Sequence, residues 1–270
     1  MRRALLARTE AAIDGRQIFY REAGAADAPV IVLLHGFPAS SFMFRSLIPQ
    51  LADRFHVIAP DYLGFGYSDA PAVEEFDYTF DALAKLTAGL LDHLGVSRYS
   101  LFVQDYGAPV GWRLALRDPQ AVTAIITQNG NGYDEGFVTE AWQLVWDYQR
   151  EQTPQTTAAA TDFLSFEATR FQYTAGAPDA SVVSPDTWHH EFGLLSRPGN
   201  TEIQLKLFLD YAQQPAHVPG TARIPASQCG SGVGDLGRQE PVLRTRRRPC
   251  VRQGRGRARD PPARRRSLPA

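Results

Sequence analysis

Four short stretches in the first half of the chain are almost continuously apolar: 29–34, 55–60, 101–104 and 122–128. Runs of this length bounded by turn residues predict strands buried on both faces, as in a parallel sheet. Between them, apolar residues recur at helical spacing over 41–53, 80–94 (closed by Gly95) and 107–118. Strands alternating with helices predict an α/β fold with a mostly parallel sheet, and ligand chemistry outside the carboxyl ends of the strands. Before this rhythm begins, residues 5–24 predict a hairpin turning at Asp14-Gly15. After it, residues 131–212 change character: they look helical and carry many aromatics, among them Trp142, Trp146, Tyr148, Tyr173 and Tyr211. Most of these are expected to pack within that segment, with a minority lining a pocket.

Three of the strand ends carry motifs. The first runs into His35-Gly36-Phe37-Pro38, the second into Asp61-Tyr62-Leu63-Gly64-Phe65-Gly66-Tyr67-Ser68, and the third into Asp105-Tyr106-Gly107-Ala108. An apolar run, an acid and then small residues opening a helix predict a sharp strand-to-helix turn with a carboxylate at its tip. A carboxylate placed there attacks carbon electrophiles that carry a leaving group or a strained ring, giving an ester that water must cleave. The competing reading is an Asp that caps the helix. Ser68, in Gly66-Tyr67-Ser68-Asp69-Ala70, comes close to a serine-esterase signature, but it follows a Gly-rich loop and reads as a turn residue.

In that order and spacing, the motifs resemble the α/β-hydrolase fold over roughly residues 5–212. More narrowly, they resemble its branch of epoxide hydrolases and haloalkane dehalogenases. The resemblance implies a core over 1–130, a helical cap over 131–212, and Asp105 as nucleophile. It also implies an oxyanion hole from the backbone N–H groups of Phe37 and Tyr106, and a pocket that includes His35 and Pro38. Dehalogenases of this branch place a Trp after the nucleophile and often an Asn in the His-Gly loop. Tyr106 and Phe37 stand at those positions, so the epoxide branch is the better match and the dehalogenase branch the alternative. An epoxide-opening enzyme needs cap phenols. Leu207-Phe208-Leu209-Asp210-Tyr211 resembles the helix that supplies one, making Tyr211 the first candidate, with Tyr148 or Tyr173 as a second. The implied substrate is a small epoxide or haloalkane, with no cofactor, no metal, no nucleic acid and no membrane.

Composition alters this picture at one end. The apolar start of the chain is broken at Arg8, no run approaches the length of a membrane span, and the two cysteines form no metal-ligand spacing, so a cytoplasmic protein is expected. The net charge of −1 conceals a division. Residues 225–270 hold twelve Arg, no Lys and three acids, a net of +9, against −10 for the rest. Both Cys229 and Cys250 fall there, and no Phe, Trp or Tyr does. The segment 213–270 is therefore anomalous, and the last strands of the resembled fold are missing from it. So is the water-activating histidine. His35, His56, His93, His189, His190 and His217 all fall elsewhere in the pattern, and the acid that would orient such a base is open, Asp134 being one choice.

Arg mixed with Pro, Gly and Ala is what GC-rich coding DNA yields out of frame. Residues 253–270 admit codons that, with the first base dropped, read Lys-Asp-Val-Ala-Gly-Pro-Ala-Ile-His-Leu-Leu-Asp-Ala-Gly-His-Phe-Pro-Leu. In the same frame Gly234-Asp235-Leu236-Gly237 permits Ala-Ile-Trp-Gly. These look like the last two strands and the histidine of the resembled fold. The alternative is an Arg-rich disordered tail for an acidic partner. On the first reading the chain is an inactive product of a hydrolase gene. Sequencing the coding DNA over codons 211–224 is expected to reveal a one-base change of frame against related genes, and an uninterrupted frame would favour the second reading.

Overall fold

The computed structural model describes residues 7–132 and 139–211. Its sheet opens with β1 (Ala7–Ile13) and β2 (Arg16–Ala23), an antiparallel hairpin reversed by Asp14 at φ +48° and Gly15 at φ +76°. Two successive left-handed residues match the right-handed twist of the flanking strands. Then follow β3 (Val30–Leu34), β4 (His56–Pro60), β5 (Tyr99–Gln104) and β6 (Val122–Gln128). The order across the sheet is β1-β2-β4-β3-β5-β6. β2 meets β4 antiparallel; β4, β3, β5 and β6 run parallel. The expected mostly parallel α/β sheet is present, and the predicted span of β6 coincides with the observed one.

Alternation along β3 divides the core in two. Val32 and Leu34 join Ile58, Leu101 and Val103 on one face; Ile31 and Leu33 join Val57 and Ala59 on the other. The first face is covered by α2 (Phe80–His93) and α3 (Gly107–Arg117), which bury Leu83, Leu90, Leu91, Val110 and Leu114. Thr79 starts α2 by accepting the Ala82 N–H, and Gly95 at φ +69° follows its end.

The other face is covered by a short 3-10 turn, Ser41–Phe44, and by α1 (Ile48–Leu51). The single helix expected over 41–53 is not formed. Pro49 has no N–H to donate and its ring would collide with the carbonyl of Arg45, so the helix restarts with Pro49 in its first turn. This cover ends near β5. Phe102 is only partly buried, and Ile126, its register partner on β6, is 41% exposed. Among the described residues β6 pairs on one side only.

Residues 139–211 are helical, as the change in composition led one to expect: α4 (Thr139–Arg150), α5 (Pro154–Asp162), α6 (Phe166–Thr174), α7 (Asp186–Leu195) and α8 (Asn200–Tyr211). No helix among the described residues is long and apolar enough to cross a membrane. The positions of His217, Asp134 and the segment 213–270 lie outside the described residues.

An unpaired edge bearing apolar side chains is a template for association. Ile126→Lys is expected to raise the soluble fraction and lower light scattering on concentration. Because the position is exposed, the melting temperature should stay within about 2 °C.

Candidate active site

β5 ends at Gln104 and α3 begins at Gly107, leaving two residues for the reversal. Asp105, the first of them, sits at φ +48°, a conformation disfavoured for residues other than Gly. Strain of this kind costs about 1–3 kcal/mol and persists only where the surroundings impose it. Here the imposition comes from small residues. A methyl group on Gly107 would overlap the Leu34 carbonyl, and one on Gly111 would come within 2.5 Å of Val103 Cγ1. The helix therefore lies closer to β3 and β5 than side chains would permit. From the other side, a methyl on Gly36 would come within 2.5 Å of Asp105 Cβ. The end of β3 is thus pressed against the carboxylate, and the Phe37 N–H donates to Asp105 Oδ1 at 2.7 Å.

Around this pair lies a shell of rings. Tyr106 follows Asp105 and packs against Phe80 (4.9 Å between centroids), Tyr211 (5.0 Å) and Phe37 (5.8 Å). Tyr211 is stacked on Trp142 at 4.8 Å. Phe37 also meets Phe163, just past the end of α5, and Phe208 of α8, so these helices roof the carboxyl ends of β3 and β5. Burial, with the added charge of Asp105, pushes the phenols of Tyr62, Tyr106 and Tyr211 well above their ordinary range. Three phenols that hold their protons thus share the electrostatic field of one carboxylate.

His35 lies behind this site. Fully buried, its Nδ1 faces the Gly36 carbonyl at 3.0 Å, and its Nε2 accepts the Tyr62 N–H at 3.2 Å. A carbonyl only accepts, so the ring is the neutral Nδ1–H tautomer. Burial, opposed by Asp61 and the Gly36 carbonyl, lowers its pKa. His35 thereby ties the Gly36 loop to the Asp61 loop. Asp61 holds the same two loops with its carboxylate, accepting from Ser41 N (2.6 Å) and Tyr67 N (2.9 Å). Ser68 is committed too, donating to the Asp61 carbonyl and accepting from Phe19 N, which fits its reading as a turn residue. The other described histidines have other surroundings. His56 pairs with Glu22, His93 closes α2, His189 lies on Phe166, and His190 lies on Phe42 and Tyr67.

This architecture has known counterparts. Residues 29–200 match the model of the alpha/beta hydrolase fold family. The chain belongs to that family. It is 44% identical over 201 residues to the uncharacterized hydrolase YNR064C of Saccharomyces cerevisiae, spanning 73% of this chain and 69% of the yeast protein. It is 39% identical over 115 residues to a haloalkane dehalogenase of Mycolicibacterium paratuberculosis, spanning 42% of this chain and 38% of the dehalogenase. Among solved structures, the epoxide hydrolase CorEH shares the fold with a TM-score of 0.67 at 22% identity, over 81% of this chain and 78% of that one.

Within this hydrolase fold, Asp105, Phe37, Tyr106 and Tyr211 come together, with Pro38 beside Phe37 in the same loop. Tyr148 is buried on α4, and Tyr173 lies on α6; burial raises the pKa of both phenols. Tyr173 lies near Glu191 and Arg45, in a polar cluster that the sequence did not announce. Glu191, on α7, is buried and accepts the Ser40 hydroxyl at 3.1 Å; Arg45 donates to Thr187 on the same helix at 3.0 Å. A Glu on an otherwise amphipathic helix reads as solvated, and nothing in its spacing shows otherwise. Gln204, on α8, is likewise fully buried, with neither amide atom bonded among the described residues.

Burial pushes the Glu191 carboxyl up to about 8, reinforced by Asp61 and opposed by Ser40 and Arg21. The folded value exceeds the ordinary 4.5, so the contribution to stability is full at low pH and is lost as pH rises from 4.5 to about 8. Glu191→Gln keeps an acceptor without the charge. It is expected to flatten the melting temperature across this window and to raise it at pH 8 by about 3 °C or more, read by thermal denaturation in a pH series.

Proposed function

We propose that this hydrolase opens epoxides through an ester on Asp105. The observation that carries the reading is the Asp105 carboxylate itself, held at φ +48° at the end of β5 with the Phe37 N–H on Oδ1. One carboxylate oxygen attacks a ring carbon. The ring C–O bond breaks with its electron pair going to oxygen, and a phenol that keeps its proton, Tyr211 first, donates to the alkoxide. The Phe37 and Tyr106 N–H groups serve the oxyanion of the later hydrolytic step. Helices α4–α8 act as the cap and exclude water from the charge-separating step. The divisions at 1–130, 131–212 and 213–270 belong to this reading, with 213–270 the out-of-frame segment.

A haloalkane substrate is the second reading, favoured by the dehalogenase relative. Against it, neither Phe37 nor Tyr106 offers the amide or indole donor that a departing halide would need. In both readings the water-activating histidine belongs to the segment beyond 212, so the ester forms and persists.

Incubation with styrene oxide followed by peptide mass mapping is expected to locate one stable adduct, on Asp105, absent in Asp105→Asn. A frame-restored chain should turn the same probe over. Labelling at other carboxylates, or no label in either chain, would overturn the assignment, and multiple turnovers by the 270-residue chain would refute the missing base.

A further inference from the structure

Tyr62 is the aromatic residue next to Asp61 in the loop after β4, and no motif requires a phenol there. Its backbone is fixed, because its N–H donates to His35 Nε2 at 3.2 Å. Its ring is held as well, tilted against the His35 imidazole at 4.2 Å between centroids and set edge-on to Phe65 at 6.1 Å. Phe65 in turn meets the ring of Tyr106 at 6.3 Å, the residue that follows Asp105. The residue is 2% exposed, yet among the described residues its hydroxyl has no hydrogen-bond partner.

A buried hydroxyl left unpaired costs roughly 1–3 kcal/mol and calls for an explanation, a role in the chemistry being one; the Tyr173 hydroxyl is unpaired too, but lies beside Glu191 and Arg45. The hydroxyl cannot swing away to find a partner, since both the ring and the backbone are held. The side chain is neutral, because burial and the Asp105 charge both disfavour the phenolate. A neutral donor within the field of a carboxylate is suited to an oxygen that becomes negative as that carboxylate attacks.

We propose that the Tyr62 hydroxyl is the second proton donor to the substrate oxygen, acting from the core loop while Tyr211 acts from α8. This rests on the epoxide-opening reading of Asp105 and replaces Tyr148 and Tyr173 as the partner phenol. As the Asp105 oxygen bonds to the ring carbon and the ring C–O bond breaks, the Tyr62 proton passes to the new alkoxide. Water then returns a proton to the phenolate. The substrate class that exploits the site is one whose leaving atom stays attached and must be protonated. A departing halide takes no proton, so it gains less from Tyr62 than an alkoxide does.

The test uses the full chain and two probes, styrene oxide and 2-phenylethyl bromide, with ester formation on Asp105 followed by intact mass in a single turnover. Tyr62→Phe is expected to slow alkylation by the epoxide about tenfold or more. Alkylation by the bromide should change less than about twofold, and the melting temperature should stay level or rise, since only an unpaired hydroxyl is removed. Equal slowing with both probes, unchanged alkylation by the epoxide, or a lowered melting temperature would each overturn the role. If the parent chain forms no ester with either probe, the Asp105 reading fails, and this one with it; an ester in the parent with an unaffected variant removes Tyr62 alone.

Discussion

The separation between α3 and the strands beneath it is the constraint from which the site follows. Gly107 lets the helix start against the Leu34 carbonyl, and Gly111 lets it continue over Val103. A chain brought so close has no room for a wide turn, and Asp105 takes the left-handed conformation as a result. The strain is local and small, whereas the packing that imposes it belongs to the main core, so the fold prevails over the preference of one residue. The same approach brings Gly36 against Asp105 and aims the Phe37 N–H at its carboxylate. A carboxylate, a donor and the surrounding rings are thus consequences of how near two elements can lie.

The helices over the site are joined to the core by polar contacts at separate points. Glu191 holds Ser40, Thr187 holds Arg45, Arg197 donates to the Ser68 carbonyl, and Asp210 accepts the Phe80 N–H. Between them runs an aromatic seam from Phe163 and Phe208 through Phe37 to Tyr106, Tyr211 and Trp142. Lifting the layer would wet these rings and strand several buried polar groups together, which makes the roof a structural part of the site.

Much of the fold was legible because parallel strands buried on both faces leave uninterrupted apolar runs; β3, β4 and β6 were placed to within a residue. The hairpin was legible because Asp14-Gly15 favours the conformation its turn needs. The segment 41–53 misled because apolar spacing says nothing of a missing N–H, and Pro49 divided it. Asp105, Phe37 and Tyr106 could be named as candidates through motifs at strand ends, where topology forces convergence. Glu191 and Gln204 could not, since a polar residue on a helix carries no mark of which neighbour it will face. The place of Tyr62 against His35 was concealed differently: Asp61 and the glycines account for its loop, so the tyrosine between them looked incidental.

The neutral ring of His35 sets a boundary that has nothing to do with bond making. Its Nδ1–H is committed to the Gly36 carbonyl, and its Nε2 must stay unprotonated to receive the Tyr62 N–H. Burial favours that state and holds the folded value below the ordinary 6.5, so the stability it confers is full above that pH and drains away as acidity increases. A second proton would set two N–H groups facing each other at the junction of both loops. The carboxylate of Asp105 would then lose the alignment of its Phe37 donor. Acid would therefore act on this corner of the fold through a buried imidazole that lies behind the carboxylate and joins the two loops beside it.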